Sequence, residues 1–360
     1  MRPTDNLSPT FMSLTDFRTL GRSGLVVSPL ALGTMTFGTA RWGSADDVSQ
    51  AIFNTYVDAG GNFVDTADVY AGGRSEELLG GYLADRKLRD NVVLATKFGF
   101  SAQAGNPNAS GNGRKNIYRA LEGSLRRLRT DYVDLYWLHV WDMVTPVEEV
   151  LQTLGDLVRA GKIRYFGFSD MPAWYTAKAA ALAAAHGVPG PVAMQLAYSL
   201  VERNIEREHL PAAREAGLGL TPWSPLAAGF LAGKYQRAEA GANGEGRLSG
   251  PNPFGNTLFT ERNWRILEAL RPVAAQLERP LAQVALAWVL AQPGVSAPIV
   301  GASQVAQLRD SLAALAIRFT PAQLQALDEA SAPEVVFPYG IFTPGGNKGV
   351  FGGAAVRGWQ

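Results

Sequence analysis

Apolar runs of strand length alternate eight times with amphipathic stretches of helical length, and this pattern predicts a (β/α)8 barrel, a TIM-barrel α/β fold. Strand, helix and strand in strict alternation imply parallel pairing, because parallel neighbours need a crossover, and eight such units match a closed barrel better than an open sheet. A further observation is where polarity falls. The runs NFVDTADVY, NVVLATK and YVDLYWLH stay almost continuously apolar until an ionisable or hydrogen-bonding side chain closes each one.

Before the alternation, FRTLGRSGLVVS carries two short apolar runs around Gly21-Arg22-Ser23-Gly24, an N-terminal hairpin signal placed to plug the barrel's N-terminal end. Strands are then expected at 29–32, 63–65, 92–97, 132–139, 164–169, 192–198, 218–224 and 297–301. Helices are expected at 45–59, 75–83, 114–128, 146–160, 172–186, 205–216 and 261–277. A second helix, 281–291, precedes the last strand and another follows Pro321. Glu148-Glu149 opens one helix where carboxylates favour the dipole, and the alanine-rich run 177–185 is a strong helix former. Three stretches rich in Gly, Asn, Pro and Ser, 101–113, 238–256 and 332–360, are expected to be loops or tail. The first two follow strands three and seven and so emerge on the C-terminal rim as candidate pocket walls. The expected organisation is a flexible segment over 1–16, the barrel over 17–330 and a C-terminal tail over 331–360. That tail carries aromatics without periodicity; it is expected to fold over the pocket or to pack against another subunit of a homo-oligomer.

Composition narrows the function classes. With 360 residues, 47% of them apolar, and a formal charge of +1, the chain can bury a large core and has no bias toward acidic or basic partners. The absence of cysteine excludes disulfides, thiolate nucleophiles and cysteine metal sites. The three histidines, His139, His186 and His209, lie far apart, which leaves little material for a metal site. The start MRPTDNLSPTFMSLTDF lacks a charged segment followed by an apolar core, and no stretch approaches the ~20 apolar residues of a membrane span, so a cytoplasmic protein with no membrane partner is expected. Arg126-Arg127-Leu128-Arg129 reads as an exposed helix end, and nothing else points to nucleic acid.

The eight-strand reading gathers Asp65, Tyr70, Lys97 and His139 on one barrel rim. A carboxylate, a phenol, an ammonium and an imidazole together form a proton-transfer site, because neighbouring charges retune one another. Each alone has a plainer explanation: Asp65 as a turn cap, Tyr70 as a surface tyrosine, Lys97 reaching solvent, His139 bonded to a core carbonyl. Four coincidences at adjacent strand ends would be needed to explain them all that way. No strand is followed by G-x-G-x-x-G, which argues against a Rossmann domain, and GFLAGKY misses the phosphate-loop pattern, so a nucleotide would have to bind the barrel rim.

GTMTFG, VDTADVYAGGRSEELLG, LATK, DLYWLH, RYFGFSD, MQLAYSLVER, TPWSPLAAGFLAGKY and PIVGASQVAQL occur in this order at strand ends. Over 17–330 the chain resembles the NADP-dependent aldo-keto reductases, and is closer to the bacterial and potassium-channel β-subunit branch than to the mammalian aldose reductase branch. The resemblance implies reduction of an aldehyde or ketone to its alcohol, or the reverse, by hydride transfer. Tyr70 would be the general acid/base; its phenol, ordinarily near pKa ~10, is too weak an acid unless Lys97 stabilises the phenolate, with Asp65 holding the ammonium. His139 would hydrogen-bond the substrate oxygen. The alternative implied by the same branch is a nicotinamide-binding regulatory subunit of the channel β type.

The resemblance also implies NADP(H), with NAD(H) as the alternative, and no metal. Trp223 would stack on the nicotinamide, with Ser169, Asp170 and Gln195 at its carboxamide. Ser224, Leu226, Gly229 and Lys234 would clamp the pyrophosphate, the glycine admitting backbone and the lysine adding a cation. Gly301, Ser303 and Gln307 fall where the family holds the adenosine ribose and its 2′-phosphate. Gly33, Thr34 and Met35 of GTMTFG would touch the cofactor beside Asp65. Met35, Trp42 and Trp141 would wall a pocket for a partly apolar, bulky small-molecule carbonyl or alcohol. Three positions depart from the family pattern: Asp170 stands where asparagine is common, Ser303 where a basic residue is common, and Ser311 where asparagine is common. Arg309 would be the substitute cation for the phosphate.

Overall fold

The computed structural model describes residues 12–237, 248 and 257–356. Eight parallel strands form the predicted barrel: β3 (Ala31–Gly33), β4 (Phe63–Asp65), β5 (Val93–Phe98), β6 (Val133–Leu138), β7 (Ile163–Ser169), β8 (Ala193–Gln195), β9 (Gly219–Leu220) and β10 (Ile299–Val300). They lie in the order β10-β3-β4-β5-β6-β7-β8-β9. The seam between β9 and β10 is bridged by Ser296 N donating to Leu220 O and Ile299 N donating to Pro222 O, both at 2.8 Å. Between and after the strands run α1 (Asp46–Asp58), α2 (Arg74–Arg86), α3 (Arg114–Leu128), α4 (Val147–Arg159), α5 (Ala173–His186), α6 (His209–Ala216), α7 (Glu261–Leu277), α8 (Leu281–Leu290), α9 (Val305–Ala313), α10 (Pro321–Ser331) and α11 (Pro344–Val350).

Strand parity separates two apolar zones, since successive side chains point to opposite faces. Phe63, Val93, Ala95, Leu135, Trp137, Ala193 and Ile299 pack together inside the barrel. Val64, Leu94, Tyr136, Leu138, Phe166, Phe168 and Met194 face the helices in a separate, larger cluster. Trp137 fills the interior only because β7 carries glycine opposite it: a Cβ on Gly167 would sit 2.3 Å from the indole. The N-terminal hairpin, β1 (Arg18–Thr19) against β2 (Val26–Val27), forms as expected. Its Leu20, Leu25 and Val27 join the interior cluster and close the bottom of the barrel.

The last strands are shorter than their apolar runs. Beyond β8 and β9 only a single bridge, Ala197 with Trp223, continues the pairing. The helix expected at 205–216 divides into a 3-10 turn, Asn204–Glu206, and α6. Pro211 explains the division, because it has no N–H to bond back to residue 207 and is tolerated only in a helix's first turn. The tail is not all loop: α11 begins at a Thr343 cap with Pro344 in its first turn. Of the expected loop 238–256, all but Leu248 lies outside the described residues. Among the described residues no helix is long and apolar enough to cross a membrane.

Candidate active site

The inward parity that is apolar at mid-barrel turns polar at the C-terminal rim. Phe63 gives way to Asp65, Ala95 to Lys97, Trp137 to His139, and Ala193 to Gln195. Asp65 and Lys97 thus reach one point from adjacent strands, both almost fully buried. Tyr70 joins them from the 3-10 turn Tyr70–Gly73, whose Ala71, Gly72 and Gly73 all have left-handed φ (49°, 65° and 97°), a tight reversal that brings the phenol back over the barrel mouth.

All three ammonium protons of Lys97 are directed. Nζ contacts Asp65 Oδ1 and donates to Thr66 O (2.9 Å) and to Tyr70 Oη (3.3 Å). Asp65 Oδ2 accepts from Gln195 Nε2 at 3.0 Å, which fixes the carboxylate from the far side. Burial alone would lower the Lys97 pKa, but the Asp65 carboxylate and the Tyr70 oxygen outweigh it and raise it above the ordinary lysine value. His139 stands edge-on to Tyr70, with ring centres 5.9 Å apart, and to Phe100 at 4.8 Å. Burial, with the nearby Lys97 charge, holds His139 well below the usual histidine range, so its imidazole is neutral at pH 7. Its Nδ1 is buried without a protein partner. The four residues picked from the sequence therefore form one cluster.

Behind this cluster lies a brace that the sequence did not reveal. Glu76, fully buried on α2, accepts from Thr96 Oγ1 (2.5 Å), the neighbour of Lys97, and from Arg127 Nε (2.7 Å) on α3. Arg127 in turn packs on the Tyr70 turn, since a Cβ on Gly73 would sit 2.9 Å from its Cδ. The basic run 126–129 is thus not simply an exposed helix end: Arg127 reaches inward because the buried Glu76 carboxylate requires a counter-ion. Asp68, also buried, is pushed up to about 7 by burial and by Glu76, with Arg127 and Arg119 opposing. Arg127→Met is expected to lower stability by about 3 kcal/mol in urea unfolding, because it strands the Glu76 charge. Adding Glu76→Gln should recover part of that loss.

The loops after β5 and β6 are tied through Asp142, which accepts from Asn112 N (2.8 Å), Thr145 Oγ1 (2.6 Å), Thr145 N (3.0 Å) and Val144 N (3.1 Å). Burial would raise its pKa, but these bonds hold the carboxyl below the usual range. They set an aromatic rim: Trp141 meets Trp174 edge-on at 5.8 Å, and Phe100 and Trp174 are exposed. Met35 and Trp42 are half-buried on the loop after β3. Phe100 lies on a loop and Trp174 at the start of α5, where no period distinguishes an inward from an outward side chain, so neither was found from the sequence.

The residues assigned to a nucleotide fall into four groups. Ser169 and Gln195 are buried neighbours in register on β7 and β8, and Asp170 Oδ1 accepts from Trp223 Nε1 at 3.0 Å. Ser224, Ala227, Ala228 and Gly229 all take positive φ (52°, 49°, 53° and 91°), a curl closed on itself by Ala227 N donating to Ser224 O (2.8 Å), Ala228 N to Ser224 Oγ (2.9 Å) and Gly229 N to Leu226 O (3.0 Å). The Lys234 ammonium lies against the curl at Gly229, whose φ of 91° favours glycine: a Cβ there would sit 3.2 Å from Nζ. Gly301 and Ser303 precede α9, where Gln307 Oε1 accepts from Ser303 N (2.9 Å) and Oγ (3.2 Å). Gly33 ends β3 beside Asp65, while the Thr34 hydroxyl turns inward to Ser75 Oγ at 2.8 Å. Among the described residues no group of three or more histidines or carboxylates could hold a metal ion.

The (β/α)8 barrel thus carries a Lys–Asp–Tyr–His cluster on its C-terminal rim, a constellation suited to proton transfer. The profile of the Aldo/keto reductase family matches residues 29–332, and the chain belongs to that family of oxidoreductases. It is similar to a norsolorinic acid reductase of Aspergillus flavus, at 35% identity over 93% of this chain and 86% of the relative. It is 38% identical to a probable voltage-gated potassium channel subunit beta of Oryza sativa subsp. japonica, over 83% of this chain and 90% of the relative. An aryl-alcohol dehydrogenase of Pestalotiopsis microspora is 32% identical over 89% of this chain and 83% of the relative.

Proposed function

We propose that the protein is an NADP(H)-dependent reductase that interconverts an aldehyde or ketone and its alcohol, with Tyr70 as general acid/base. The observation that carries this reading is Lys97 Nζ, buried against Asp65 and 3.3 Å from Tyr70 Oη. A proton leaving Tyr70 for a substrate oxygen leaves a phenolate, and the ammonium beside it stabilises that charge in a site with little water. Asp65 keeps Lys97 charged and aimed, and Gln195 keeps Asp65 in place. His139, neutral, offers one N–H to the same substrate oxygen and orients the carbonyl.

A nicotinamide cofactor, when bound, supplies or accepts the hydride. The donor set fits such a group: Trp223 presents an indole face, Ser169, Asp170 and Gln195 present polar atoms, and the Lys234 ammonium beside Gly229 suits a pyrophosphate. Gly301, Ser303, Gln307 and Arg309 suit the ribose and its phosphate, although Ser303 brings no charge. The aromatic rim of Phe100, Trp141 and Trp174 supports a bulky, largely aromatic substrate, in keeping with the name of the Pestalotiopsis relative, an aryl-alcohol dehydrogenase.

The test is loss of NADPH absorbance with a panel of aldehydes and ketones. Turnover is expected, fastest with aryl carbonyls, with a lower KM for NADPH than for NADH. The likeness to the rice channel subunit favours a second reading, in which cofactor binding serves a regulatory role. Tight NADPH binding without turnover across the panel would select that reading over the first.

A further inference from the structure

Asp170 is a carboxylate at the barrel mouth that the proton relay does not use. It follows β7 with a left-handed φ of 45°, a conformation aspartate tolerates better than most residues. Its backbone is pinned on both sides, with Asp170 N donating to Gln195 O (3.2 Å) and Trp141 N donating to Asp170 O (3.4 Å). Its Oδ1 accepts from the indole N–H of Trp223 at 3.0 Å. The side chain therefore stands fixed at the edge of the indole, with an open face toward the rim.

We propose that Asp170 makes this protein discriminate between the two oxidation states of its nicotinamide cofactor, holding the oxidised form more tightly than a neutral asparagine there would allow. The inference rests on the cofactor reading above. The oxidised ring is cationic and the reduced ring is neutral, so a fixed carboxylate at the indole edge attracts one and not the other. Trp223 acts in the same direction. An indole face attracts cations, and donation of its N–H to a carboxylate leaves the ring more electron-rich. Lys97, the cation that acts on Asp170 from β5, is itself paired with the Asp65 carboxylate, which offsets much of its charge. Partial desolvation raises the Asp170 carboxyl to about 6, with Trp223 and Lys97 opposing, so it is ionised at the pH of the test. The consequence is a bound equilibrium drawn toward oxidised cofactor and alcohol.

The test is tryptophan-fluorescence titration of the wild type, Asp170→Asn and Asp170→Glu with NADP+ and NADPH separately at pH 8. Asp170→Asn is expected to reduce the preference for NADP+ over NADPH on the order of tenfold, the scale of one charge at short range under strong solvent screening. Asp170→Glu, which keeps the charge, should retain most of the preference. If both forms bind the wild type and Asp170→Asn leaves the ratio unchanged, the inference is overturned and the cofactor reading stands. If neither form binds the wild type, the cofactor reading falls and this inference with it. Should Asp170→Asn fail to fold, Asp170→Ser removes the same charge and is held to the same ratio.

Discussion

Lys97→Met is expected to cost about 3–5 kcal/mol of stability, among the largest single effects in the molecule. The ammonium is fully buried, and its removal leaves the Asp65 carboxylate in the barrel mouth with Gln195 as its remaining side-chain donor. Urea unfolding measures the loss, and Lys97→Met combined with Asp65→Asn should recover much of it, because the stranded charge is then gone. The wild-type pair also has a defined pH signature. Burial lowers the Lys97 pKa, yet Asp65 and Tyr70 raise it further, so the folded value lies above the unfolded one of about 10.4. The stability gained is therefore fully present below that unfolded value and is lost as pH rises through the folded value. Lys97→Met should lack this alkaline loss. If the variant is as stable as the wild type, the buried pair is not what holds the barrel mouth.

Tyr70→Phe is expected to lower turnover on the order of a thousandfold while cofactor affinity stays within about twofold. Phenylalanine keeps the ring that packs edge-on against His139, with centres 5.9 Å apart, and removes only the hydroxyl that Lys97 Nζ approaches at 3.3 Å. A fall in kcat without a matching rise in KM or in cofactor Kd separates loss of the proton donor from loss of binding. Steady-state kinetics alongside fluorescence titration make that separation.

The four clustered residues were legible because inward parity and strand ends can both be read from a sequence. Once β4, β5 and β6 are parallel neighbours, Asp65, Lys97 and His139 must meet at the C-terminal rim. The hairpin plug was legible for a similar reason, as two apolar runs around a glycine turn with no other surface to cover. What escaped depends on contacts far apart in the chain. Glu76 and Arg127 are 51 positions apart and meet only because α2 and α3 pack side by side. Arg127 sits in a basic run that by itself looks solvated. The bond between Asp170 and Trp223 spans 53 positions, and neither residue carries a local signal of the other. The rim aromatics Phe100 and Trp174 escaped because they belong to a loop and a helix start where no period distinguishes an inward from an outward side chain.

The central claim, that Tyr70 delivers the proton in a carbonyl reduction, is tested most directly by a single-turnover measurement. Wild type and Tyr70→Phe, each preloaded with NADPH, are mixed rapidly with an aryl aldehyde and the loss of NADPH absorbance is followed. The prediction is rapid consumption by the wild type and a rate on the order of a thousandfold slower in Tyr70→Phe, with equal cofactor loading in both. Equal rates would contradict it.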